Sequence, residues 1–86
     1  MRDMSRWRPD AGIIVVKEYI VIYEYGSPFW GASVPDLPGC FAVGTSLEEA
    51  ERRICEAAEA YIADLKAEGK SIPEPTTKVG KVTLAE

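Results

Sequence analysis

Residues 13–34 read IIVVKEYIVIYEYGSPFWGASV, and this stretch decides the fold class. Residues 13–25 are dominated by β-branched and aromatic side chains, which suit a pleated strand. Gly26-Ser27-Pro28 then breaks the run with a turn signal, and the apolar pattern resumes at Phe29. The stretch therefore predicts an antiparallel hairpin, with strands over 13–25 and 29–34. Side chains alternate along a strand, so Ile20 and Ile22 fall on one face, and Tyr19, Val21, Tyr23 and Tyr25 on the other. Both faces are apolar. One helix can cover only one face of a sheet, so the other is expected to meet a second chain or the folded-back N-terminal segment.

Downstream, residues 35–39 are Pro-Asp-Leu-Pro-Gly, a corner whose two prolines fix the backbone. The expectation is a rigid loop that displays Leu37, followed by a short third strand over 41–43. Gly31 and Gly44 are read as points where the backbone bends. Thr45 with Glu48 forms a capping box, with Ser46 and Glu49 as the alternative frame. Beyond it Leu47, Ala50, Ile54, Ala57, Ala58, Tyr61 and Leu65 recur at helical spacing, and Cys55 and Ile62 flank this stripe. Gly69 stands where a left-handed residue ends a helix, and Pro73 and Pro75 keep it from resuming. Residues 79–84 alternate and are read as a short closing strand. Uninterrupted strands followed by a helix give an α+β class: an antiparallel three-stranded meander, one long helix and a short C-terminal strand. Residues 1–12, with Arg2, Arg6, Arg8 and the lone Trp7, show no apolar period and read as a flexible arm ahead of a single domain over 13–86.

Composition narrows the function. Eighty-six residues make one domain, and one so small that association would add useful apolar burial, as a homodimer or homotetramer. Fourteen acidic against ten basic residues leave a net charge of -4, which repels a phosphate backbone and favours a basic protein partner. RNA binding through Arg2, Arg6, Trp7, Arg8, Lys78 and Lys81 is the weaker alternative. No apolar run is long enough to span a bilayer and no signal-peptide pattern opens the chain, so a cytoplasmic location is expected.

Catalysis is disfavoured. There is no histidine, which removes the commonest general base and metal ligand. No glycine-rich phosphate loop precedes a helix, and no nucleophile stands beside a base. Glu24 and Asp36 could be imagined as a metal-binding pair, but they read better as a solvated strand residue and a turn-former. Cys40 and Cys55 are expected to be free thiols, with Cys40 a small buried hydrophobe. The expectation is a binding protein without metal, cofactor or catalytic residues. Its partner contacts are placed at Pro35, Asp36, Leu37, Pro38 and Gly39, and its oligomer contacts at Tyr19, Val21, Tyr23 and Trp30.

Three motifs in order carry a resemblance: Tyr19-Ile20-Val21-Ile22-Tyr23-Glu24, then Pro35-Asp36-Leu37-Pro38-Gly39-Cys40, then Val43-Gly44-Thr45-Ser46-Leu47-Glu48-Glu49-Ala50. With the helix and the closing Glu68-Gly69-Lys70-Ser71-Ile72-Pro73-Glu74-Pro75, the chain resembles HicB-like antitoxins of the HicA/HicB toxin-antitoxin systems. The resemblance implies a partial ribonuclease-H-like βββαβ fold without the catalytic acids. It also implies binding to a small basic HicA-like toxin that degrades messenger RNA. Many such antitoxins add a C-terminal DNA-binding module, and residues 76–86 are too few to form one, so neutralisation without operator binding is expected. An orphan oligomeric scaffold of the same fold, with no toxin, is the alternative.

Overall fold

The computed structural model describes residues 16–86. Strands β1 (Ile22–Gly26), β2 (Phe29–Ser33) and β3 (Phe41–Gly44) precede one helix, α1 (Leu47–Ala67). The strands form an antiparallel sheet in the order β1-β2-β3. Ser27 and Pro28 make the two-residue hairpin loop, with Gly26 opposite Phe29 and Ile22 opposite Ser33. The α+β meander and long helix are as the sequence predicts.

Two strand expectations need correction. β1 begins at Ile22, whereas the sequence pattern extends the strand back to residue 13. Residues 13–15 lie outside the described residues, as do Trp7 and the rest of the N-terminal arm, and residues 16–21 are not in the ladder. The reason is the partner's length: β2 ends at Ser33, just before Pro35, and leaves nothing for the upstream residues to pair with. The closing strand over 79–84 is likewise absent, and residues 70–86 carry no regular secondary structure. Alternation supplies the faces of a strand, but a strand also needs an edge to pair with.

α1 packs across β3 and β2. Ala50 and Ile54 are buried from the helix, against Ala32, Val34, Leu37 and Cys40 from the sheet and the corner loop. Trp30, Ala42, Ala57, Tyr61 and Ile62 complete this core from its edge. Gly44 makes the close approach possible, since a Cβ there would stand 2.6 Å from the Ala50 amide nitrogen.

The second of the two capping frames is the one used. Ser46 is the N-cap, and its hydroxyl accepts from the Glu49 amide at 3.1 Å. Glu49 Oε1 accepts in return from the Thr45 amide at 2.8 Å, one residue before the cap. That amide, reinforced by Arg53, the Thr45 hydroxyl and Arg52, holds the Glu49 carboxyl below its ordinary range. At the other end Gly69 adopts φ 68°; its amide donates to Lys66 O at 3.1 Å, and the Lys70 amide to Leu65 O at 2.9 Å. This pair of bonds closes the helix as the glycine position predicts.

Candidate protein-binding surface

The corner after β2 is built around a buried anchor. Leu37 has no exposed surface at all, so it is not displayed for a partner as the two prolines suggest; it is the plug that fixes the loop to the core. Backbone bonds hold it there: the Leu37 amide donates to Val34 O, the Cys40 amide to Leu37 O, and the Val34 amide to Cys40 O, all at 3.0–3.1 Å. Gly39 takes the left-handed conformation (φ 82°) that the tight return demands. Pro35, Pro38 and Gly39 stay exposed. Cys40 is buried, which pushes its thiol up; Cys55 is exposed, and its contact with Glu59 pushes its thiol up too.

Asp36, placed above among the partner contacts, is engaged within the chain. Its carboxylate accepts from the Thr77 amide at 3.0 Å, the Thr77 hydroxyl at 2.9 Å and the Thr76 hydroxyl at 3.1 Å. Those donors, the Thr77 amide foremost, hold the Asp36 carboxyl below its usual range. The residue is thus a tether that brings the chain after the helix back to the corner. Glu24 lies on the exposed face of β1 opposite Gly31, five residues before Asp36 in β2's direction, and the two carboxylates do not meet. No cluster of three or more potential metal ligands occurs among the described residues.

The sheet has two unlike faces. On the helix side, Tyr19, Val21 and Tyr23 stand across a groove of about 540 Å³ from Ile54, Ala58 and Ile62, with Lys17, Glu51, Glu59 and Lys66 on its rim. Burial, then the charges of Glu51 and Cys55, raise the Tyr23 phenol. Trp30, also on this side, packs against the core and tilts against Tyr25 with ring centroids 5.2 Å apart. All four residues expected to contact another copy therefore share the helix face, and three of them line the groove. On the opposite face Ile22, Phe29, Phe41 and Val43 are exposed around Gly31. Phe41 is the most open of them, at 70%. It follows the corner by two residues, and Pro38, Gly39 and Phe41 are all exposed, with the buried Cys40 between them.

The family model for HicB_like antitoxins of bacterial toxin-antitoxin systems matches residues 19–85, which takes in the whole sheet, the corner, the helix and nearly all of the tail. The chain belongs to the HicB-like antitoxin family. UPF0150 protein Ta0767 of Thermoplasma acidophilum is 38% identical over 58 residues, covering 67% of this chain and 84% of that protein. No solved structure matches the chain significantly. Membership in this antitoxin family points to a regulator that meets a toxin, and away from an enzyme. No helix among the described residues is long and apolar enough to cross a membrane.

The exposed sheet face, with Ile22, Phe29, Phe41 and Val43, was not singled out from sequence. Its signal was present in the alternation of β1, since Ile20 and Ile22 oppose the tyrosines. The helix stripe, however, does not say which face it will cover. The register decides that, by pairing Tyr23 with the buried Ala32.

Proposed function

We propose that this HicB-like chain neutralises a small basic HicA-like toxin by binding to it with the corner and the adjoining sheet face. The observation that carries the reading is the family match over residues 19–85. The charge of -4 supports it, because an acidic surface speeds encounter with a basic partner and disfavours nucleic acid. The contact surface is Pro35, Pro38, Gly39 and Phe41. The prolines hold it rigid, so little conformational entropy is lost on docking, and Phe41 offers the kind of aromatic side chain that dominates protein interfaces. Asp36 and Leu37 act from beneath, one tethering the following segment and the other anchoring the loop. Neutralisation is then occlusion of the toxin's RNA-cleaving surface, with no bond made or broken by the antitoxin. The chain acts in the cytoplasm, where such a toxin meets messenger RNA.

Co-expression with the neighbouring small basic open reading frame tests this. The expected result is growth rescue and copurification of the two proteins. Continued growth arrest with both proteins present in soluble form would refute the reading.

A further inference from the structure

The chain after Thr77 carries a strand pattern without being in a sheet. Residues 78–86 have no regular structure and lie exposed, with Val79 at 73%, Val82 at 82% and Leu84 at 79%. Gly80, Val82 and Leu84 alternate with Val79, Lys81 and Thr83, a strand pattern with one wholly apolar side. The family model runs through residue 85, so this segment belongs to the shared domain.

The sheet has two outer edges, and the register shows which backbone groups each turns outward. The Val34 amide donates to Cys40 O, so alternate β2 residues Ala32 and Trp30 bond toward β3, while Ser33, Gly31 and Phe29 bond toward β1. Phe41 and Val43 therefore point their backbone groups outward from β3, and there Arg53 Nη1 donates to Val43 O at 2.9 Å. One outward carbonyl of that edge is thus taken by a guanidinium. On β1 the same alternation turns the N–H and C=O of Tyr23 and Tyr25 outward, where no described residue bonds to them.

The tail is carried away from that edge in its own molecule. Tyr19 donates to Pro73 O at 2.6 Å, and Thr77 is held by Asp36, so the segment crosses the end of the sheet from the β1 side to the corner after β2. We propose that residues 78–86 add as a strand to the β1 edge of a second copy, and that the exchange is reciprocal. Placed there, Val82 and Leu84 face the groove between Tyr23 and α1, and Lys81 falls on the opposite face beside the exposed Glu24. Lys78 shares the groove-facing side with Val82 and Leu84, where Glu51 and Glu59 stand on the rim with Lys17 and Lys66. Strand addition of this kind satisfies the open backbone groups and covers the aggregation-prone edge.

The test uses the full chain and two variants, Val82→Pro and Thr83→Pro. These remove an amide donor from each side of the tail in turn, outside the packed core. Sedimentation gives the assembly state, and hydrogen exchange reports the Tyr23 and Tyr25 amides. The expected result is a dimer with both amides protected. At least one proline variant should become monomeric and exchange these amides faster by about tenfold or more, with the α1 amides unchanged. A monomeric wild-type chain, with or without protected edge amides, would overturn the proposal. So would a dimer that survives both prolines, since its interface would then lie elsewhere.

Discussion

Gly44→Ala should loosen the whole domain, although it adds a single methyl group. The new Cβ would meet the Ala50 amide nitrogen at 2.6 Å, the Glu49 carbonyl carbon at 3.0 Å and the Ala50 Cα at 3.1 Å. All three are backbone atoms in the first turn of α1, held by the Ser46 cap and by the Ala50 amide bond to Ser46 O at 3.0 Å. No flexible side chain can swing away, so the helix start must lift from β3. Overpacking of this kind costs about 1–3 kcal/mol, against a stability of roughly 5–10 kcal/mol for a domain of this length. At about 4–8 °C per kcal/mol, the melting temperature should fall by roughly 5–20 °C. Gly44 does not have a positive φ, so the penalty is steric and not conformational. Gly26→Ala is the matched control: it also sits in a strand with ordinary φ, and nothing lies within 4 Å of its added methyl. That variant should melt within a few degrees of wild type, or slightly higher through the less flexible unfolded chain. Thermal denaturation followed by circular dichroism measures both. Equal melting temperatures for Gly44→Ala and Gly26→Ala would refute the close-approach argument.

Three further outcomes follow from the same contacts. Leu37→Ala should cost about 2–5 kcal/mol in urea denaturation because it empties a fully buried site, while Pro38→Ala should change stability little; the reverse order would mean that Leu37 is the displayed residue. Ser46→Ala should cost about 1 kcal/mol by removing the acceptor for the Glu49 amide, and Thr45→Ala should cost less, which checks the capping frame by the same method. The folded Asp36 carboxyl titrates below its unfolded value, so its tether to Thr76 and Thr77 is fully present above the ordinary carboxylate pKa of about 3.9 and is lost as pH falls through the depressed folded value. The Thr77 amide resonance should report this release on acidification, and in Asp36→Asn it should lose that titration step; a step that persists in the variant would assign it to another group.

Local signals made the helix and hairpin legible. Seven apolar residues at helical spacing between a capping box and Gly69 admit little besides α1, and Gly26-Ser27-Pro28 between two apolar runs admits little besides a turn. What depended on distant partners was not legible. The corner's prolines announce rigidity, yet whether Leu37 points in or out depends on the space left between Ala32 and Ile54, which local sequence does not encode. The tether at Asp36 was not legible because its donors, Thr76 and Thr77, lie 40 and 41 residues away. The alternation of residues 19–21 and 79–84 is real, but pairing is a property of two segments. β2 is too short to reach the first, and Asp36 carries the second away from the β1 edge. The exposure of Pro35, Pro38 and Gly39 was legible in the corner itself, while that of Phe41 depends on the register of β3.

Occlusion of a toxin is the central claim, and a stoichiometric inhibition assay tests it most directly. Purified cognate toxin cleaves a labelled RNA while this chain is titrated in. Cleavage should stop near molar equivalence with the wild-type chain and continue with a folded Phe41→Asp variant. Undiminished cleavage in the presence of saturating wild-type protein would contradict the account.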